Sequence, residues 1–242
     1  MDNVDPSNYS LANTTHNQCN RAQLNALLRR YELSNLKQYV DINNPSRHLP
    51  YHNNQHMQEV ALNAVKLYRM EEDNGELPCS LGPRADEMTL LIAGLFHDYG
   101  HSGGLLPDHA NIAMACEMLK AYVSKYEPNI PARVLADAID LIKVTEFPFV
   151  HEPKTSLQRI FRDADLLGFL EADGPVNVIH GLRLEMNVKA EKPLSQMEMY
   201  ERQVQYVDNI KLFTKSAQQL WTASARYQLA IAHHLAQVPL ES

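Results

Sequence analysis

His97 and Asp98 are adjacent, at the end of an apolar run from Met88 to Phe96. Together they offer a ring nitrogen and a carboxylate oxygen, a pair that suits borderline-to-hard divalent ions: Zn, Fe, Mn, Co or Mg. Adjacent residues on a helix point about 100° apart, so both reach one ion only near a helix end or kink. Gly100, Gly103 and Gly104 supply that break. A His-Asp pair alone arises by chance, so its weight comes from its neighbours. Upstream, His52 and His56 stand four apart, a spacing that puts two side chains on one helical face where they can share or flank an ion. The plain alternative is a pair of solvent-facing histidines. Downstream, Asp165 sits among apolar residues in Phe161 to Gly168. A buried carboxylate there needs a metal or a cation, and Arg159 or Arg162 would serve as the cation if no metal binds.

These candidates lie on separate helical segments and meet only if those segments pack together. Helical periodicity begins near Arg21, with Leu24, Leu27, Leu28 and Tyr31 at three- and four-residue intervals. A second helix starts around Tyr51 to Asn54, with Met57, Val60, Ala61, Ala64, Val65 and Tyr68 on its apolar face. Residues 71–84 read as a loop, and 88–97 as a buried helix. Further helices are expected over 111–126, 132–144, 156–170, 176–188 and 195–236, the last one bent. Strand-like alternation is rare. The expected architecture is one all-α domain over residues 21–242, preceded by a polar arm over residues 1–20.

The chain has 242 residues, 45% hydrophobic and 21% charged, with a formal net charge of −7. That length affords a sizeable core. The acidic balance argues against a nucleic-acid partner, which needs a basic face. Cys19, Cys79 and Cys116 are scattered and odd in number, so neither a disulfide framework nor a CxxC zinc site follows. A reducing, cytoplasmic location is expected. No apolar run approaches the roughly 18 residues of a membrane span, and the first 20 residues are polar, so neither a membrane partner nor a secretory signal is expected. Oligomeric state is not legible.

The joint pattern is more specific than its parts. A first His, a His-Asp pair some 40 residues on, and an Asp 67 positions beyond Asp98 resemble the HD superfamily of metal-dependent phosphohydrolases. The likeness is closer to the catalytic domain of class I 3′,5′-cyclic-nucleotide phosphodiesterases and spans roughly residues 47–221. Tyr51 to Val60 is similar to their YHNxxHxxDV motif, with Glu59 in the Asp place. His97 to Gly103 is similar to HDxxHPG, with Ser102 replacing Pro, and Ala164-Asp165-Leu166 to Ala-Asp-Leu. Gln203 to Asp208 looks like their QVxFI segment.

The resemblance implies an all-α HD-domain, phosphodiesterase-like bundle with two divalent ions. His56, His97, Asp98 and Asp165 would bind the tighter one (Zn, Fe, Mn or Co), and Asp98 would bridge to a second (Mg or Mn). His52 would be the general acid. His101 and His109 would bind the second ion or support the metal ligands from behind, with Glu117 and Glu146 as weaker candidates. Gly100 stands where the family usually has an Asp. Gln203 would hydrogen-bond a nucleobase, Tyr206 would stack on it, and Tyr51 would line the substrate site.

That set of residues suits phosphate ester hydrolysis. Two divalent ions about 3.5–4 Å apart offset phosphoryl charge and activate water, and a histidine of pKa near 6.5 can protonate a leaving oxygen. A 3′,5′-cyclic nucleotide is the leading substrate, and a linear one, cut by an HD-type nucleotidase or dNTP triphosphohydrolase, is the rival. A base clamp at Gln203 and Tyr206 favours a nucleoside-bearing substrate. A basic pocket built from Lys143, Lys154, Arg159, Arg162 and Arg183 would favour a triphosphate. A silent HD fold acting as a binding module would show a lost ligand, and none is lost.

Overall fold

The structure, a computed structural model, describes residues 6–77 and 82–237, with side chains from residue 18 onward. Residues 78–81 of the expected 71–84 loop, Cys79 among them, fall outside the described residues, and the loop itself is shorter than expected, since helices Asn54–Asp73 and Pro83–Phe96 flank it. Within them every regular element is helical: α1 (Pro6–Arg30), α2 (Ser34–Asn43), α3 (Asn54–Asp73), α4 (Pro83–Phe96), α5 (Asp108–Tyr126), α6 (Ala132–Lys143), α7 (Ser156–Leu166), α8 (Gly174–Val176), α9 (Arg183–Asn187), α10 (Gln196–Asn209) and α11 (Lys215–Gln237). A π-helical turn, Asn177–Leu182, joins α8 to α9.

Several boundaries differ from the sequence expectation, most of all those of α1 and of the C-terminal helix. α1 begins at Pro6, inside the stretch read as a polar arm. Asn, Ser and Thr cost only tenths of a kcal/mol each in a helix, and extending a formed helix is cheap compared with nucleating one. The expected 195–236 helix is two helices broken at residues 210–214. Buried Asp163 accepts hydrogen bonds there from Phe213 N (3.0 Å), Thr214 N (2.7 Å) and Thr214 Oγ1 (2.8 Å). Those backbone donors are thereby withdrawn from a continuous helix.

The centre of the fold is the α3–α4 pair, with α7 and α11 also against α3 and α6 against α4. Beyond its first turn α4 is buried on all sides. Leu90, Leu91, Ile92, Ala93, Leu95 and Phe96 are all fully buried, as a helix surrounded by others must be. α3 shows one apolar stripe, from Met57 through Val60, Ala61, Ala64 and Val65 to Tyr68. The two backbones approach closely at Gly94, where a Cβ would lie 2.4 Å from Ala61 Cα. That approach sets His97, three residues beyond Gly94, against His56 on α3.

Replacing Gly94 with Ala pits two effects against each other. Helix propensity favours Ala by about 1 kcal/mol, whereas overpacking a close-packed crossing costs typically 1–3 kcal/mol, occasionally more. At 2.4 Å from backbone the steric cost dominates. Gly94→Ala is expected to lower unfolding stability in a urea titration; equal or greater stability would show that the crossing can relax.

Candidate metal centre and cavity

Each element ends or begins where it delivers a ligand. Asn53 caps α3, its side chain accepting from Gln55 N (2.9 Å) and His56 N (3.2 Å), so His56 lies in the first turn. α4 stops at Phe96, and residues 97–100 turn away from it. His97 and Asp98 therefore share a helix end, as two adjacent ligands of one ion require. A capping box, Thr155 with Gln158, starts α7, which carries Asp165 on its last turn.

Four donor atoms converge. His97 Nε2 lies 3.0 Å from Asp98 Oδ2 and 3.5 Å from Asp165 Oδ1. His56 Nε2 lies 3.4 Å from Asp98 Oδ2, 3.3 Å from Asp165 Oδ1 and 3.3 Å from His97 Nε2. Donors held 2.0–2.1 Å from one ion in tetrahedral or octahedral array stand about 2.9–3.4 Å apart, so the separations among His56, His97 and Asp98 fit a single divalent ion, with Asp165 placed beside both histidines. The hydrogen-bond network assigns the His97 tautomer: Nδ1 donates to Gly94 O at 2.9 Å, which leaves the Nε2 lone pair facing the cluster. Burial would raise both carboxylates and lower the imidazole. Their mutual attraction wins: Asp98 and Asp165 are held well below the usual carboxylate range, and His97 well above that of histidine. A cation among these groups satisfies all of them at once. Asp165 needs no arginine for this: Arg162 is spent on Val144 O and His151 O.

Beside this centre, His52, Asp98 and His101 bring ligand atoms within 4.8 Å of one another. The His101 ring stacks on His52, centroids 3.8 Å apart. His101 and Asp98 are the side chains here that could reach a second ion. His52 is engaged otherwise. It precedes the Asn53 cap, so it is not one turn from His56 on a shared helical face, as its spacing suggested. Its direction is set by Glu185, which accepts from Tyr51 N (2.7 Å) and His52 N (3.0 Å) and meets His52 Nδ1 at 2.5 Å. Burial pushes His52 down, but Asp98 and Glu185 together carry it above the ordinary histidine value. Nδ1 is thus fixed on Glu185, and Nε2 is left for chemistry.

Glu185 is the residue that sequence reasoning missed. It is buried, at 3% exposure, and follows a π-helical turn whose Gly181 packs on Pro50. A Cβ there would stand 2.6 Å from Pro50 O. A glutamate three residues after Leu182, on the apolar side of its segment, was the available signal, because such a carboxylate needs a partner.

A cavity of about 540 Å³ opens over the cluster. Tyr51, His52, His56, Asp98, His101 and Asp165 line its floor, and Gln203 and Tyr206 of α10 line a wall. His109 does not reach it. His109 is on the exposed face of α5, and the preceding Asp108 faces the cavity instead, because α5 begins at Asp108 and one helical step turns the next side chain by about 100°. Asp108 Oδ1 stands 3.7 Å from His101 Nε2. Glu117 is exposed and pairs with Lys120, while Glu146 pairs with His151 at 3.3 Å. The basic pocket does not assemble: Lys143 pairs with Asp140, and Arg183 donates to Ile179 O and Leu194 O. Lys154 and Arg159 are exposed and off the cavity wall.

Residues 54–169 match the model of the HD domain, a stretch that holds all four converging ligands. No curated protein matches the chain in sequence. The 54–169 stretch is thus similar to the HD domain, and its histidine and aspartate cluster could hold a metal ion. No described helix is long and apolar enough to cross a membrane.

Two outcomes check this centre. Asp165→Ala should abolish stoichiometric binding of a transition ion by isothermal calorimetry while the circular dichroism stays helical; retained tight binding would remove Asp165 from the ligand set. Glu185→Gln removes the charge that helps keep His52 protonated, so the alkaline limb of kcat/KM should move to lower pH. An unmoved limb would reduce Glu185 to a structural brace.

Proposed function

We propose that this protein hydrolyses a nucleotide phosphodiester with the help of divalent ions, and that a 3′,5′-cyclic nucleotide is its sharpest substrate. The observation that carries the reading is Gln203. This amide is 94% buried by residue, lines the cavity and takes no hydrogen bond from the described protein. An amide open to the cavity and not spent on the protein is free to meet a base edge, since it both donates and accepts. Tyr206, one turn on, presents its ring at the same wall, and its phenol stays neutral because burial and Asp165 raise its pKa.

The charge of the cavity selects among phosphate esters. Arg202 is the one Lys or Arg side chain on its described wall. A triphosphate brings several negative charges and would find few partners, whereas a diester brings one. The rival linear monophosphate remains chemically reasonable because Arg202, at the mouth, could meet its second charge.

His56, His97, Asp98 and Asp165 would hold one ion, and Asp98 with His101 would approach a second. Such ions supply positive charge against the phosphoryl oxygens and make water a better nucleophile. The chain does the rest. Gln203 and Tyr206 hold the base and so place the phosphate over the cluster. His52, protonated and braced by Glu185, gives its Nε2 proton to the departing ribose oxygen. The proton lost by the attacking water restores it. The apolar walls limit competing solvent.

A panel of cyclic and linear nucleotides, assayed with Mn, Mg, Zn and Co and read by chromatography, tests the reading. A 5′-monophosphate product from a 3′,5′-cyclic nucleotide is expected. Turnover of triphosphates alone would contradict it. Gln203→Ala and Tyr206→Ala should each lower kcat/KM for the nucleotide by roughly 10-fold or more, about 1.4 kcal/mol. Bis(p-nitrophenyl) phosphate, which has no base, should suffer much less. Equal losses on both substrates would mean that the pair only supports the helix.

A further inference from the structure

The cavity has a second wall that the base does not use. Leu106, Ile112, Phe147 and Phe149 form it, from the start of α5 and the loop after α6. α5 packs on α4 and on α6, whereas α10 packs on α11 and the π-helical turn. The two walls are thus separate constructions that face one metal centre.

The second wall continues onto the surface. Phe147 is 62% exposed, Val150 61%, Leu106 53% and Met186 40%. The segments that carry them are joined around one mouth. Gly104 lies directly under the Glu185 carbonyl, Lys189 Nζ donates to Leu105 O, and Phe147 N donates to Asp108 Oδ2 at 2.6 Å. A contiguous exposed apolar patch of this kind marks a binding site. The loop is also fixed in place. Arg162, 2% exposed, donates to the carbonyls of Val144 and His151, and its guanidinium carbon stands 3.9 Å from the Phe149 ring centroid. Exposed aromatic side chains on an anchored loop lose little entropy when a ligand arrives.

We propose that this wall is a second subsite, which takes an apolar or aromatic group esterified to the same phosphate, so that the protein also hydrolyses linear nucleotide diesters. The inference rests on the phosphohydrolase reading above. Continuity decides the occupant: Leu106, Phe147, Phe149 and Met186 are at once cavity lining and outer rim. A group bound to them can be covalently joined to the phosphate at the metal centre, whereas a separate macromolecule would meet only the rim. The reaction is ordinary hydrolysis. Water adds to phosphorus, one P–O ester bond breaks, and the departing oxygen takes a proton. One product is an alcohol and the other a phosphate monoester.

The test compares the benzyl and methyl diesters of one nucleoside monophosphate, whose alcohols are of similar intrinsic reactivity. The wild-type protein is expected to favour the benzyl ester in kcat/KM by about 10-fold or more, the scale on which an apolar pocket discriminates. Phe147→Ser should bring that ratio close to unity, and Leu106→Ser, on another segment of the mouth, should lower it independently. Because the ratio is taken within one variant, a general loss of activity cancels. If a cyclic nucleotide is cleaved but the wild type shows no benzyl preference, or both variants keep it, the second subsite is refuted and the proposed function stands. If no nucleotide ester of any kind is cleaved, both fall together.

Discussion

Two imidazole nitrogens, from α3 and from the turn after α4, face each other and the carboxylates of Asp98 and Asp165 at 3.0–3.5 Å. Water reaches them poorly, so solvent cannot screen what they do to each other. Charged donors packed this way are stable only if positive charge sits among them, whether protons or a metal ion. The rest of the molecule answers that demand. α4 is sheathed in apolar side chains so that its end is rigid, Gly94 lets α3 come close enough for His56 to meet His97, and the Gly94 carbonyl fixes the His97 ring through Nδ1.

The second constraint is the direction of His52. Its backbone lies outside α3, so no helix pitch aims it. Glu185 aims it from more than a hundred residues away, bonding two backbone amides and the ring together. That carboxylate reaches Tyr51 and His52 because the π-helical turn and Gly181 bring the 177–185 segment against Pro50. A π-turn at such a place fits the general tendency of these irregular turns to occur near functional sites.

The sequence carries the helical architecture well, because apolar periodicity is a local property: the α3 stripe and the continuous apolar run of α4 are written in consecutive residues. The set His56, His97, Asp98 and Asp165 comes from the resemblance to the HD superfamily; type and spacing alone leave His52 and His56 equal and an arginine open as the partner of Asp165. What escapes is what depends on distant partners. Glu185 has no local motif. Asp108 rather than His109 faces the cavity because α5 starts three residues earlier than the apolar pattern indicates. The break between α10 and α11 is imposed by Asp163, some fifty positions upstream, which no local pattern announces.

The central claim is that the four converging donors hold a divalent ion. X-ray absorption at the metal edge, on protein loaded with one equivalent of Zn or Mn, tests it most directly. The account predicts a nitrogen and oxygen shell at about 2.0–2.2 Å, with the outer scattering of two imidazoles, reduced to one in His97→Ala. A spectrum without imidazole scattering, or one that His97→Ala leaves unchanged, would contradict it.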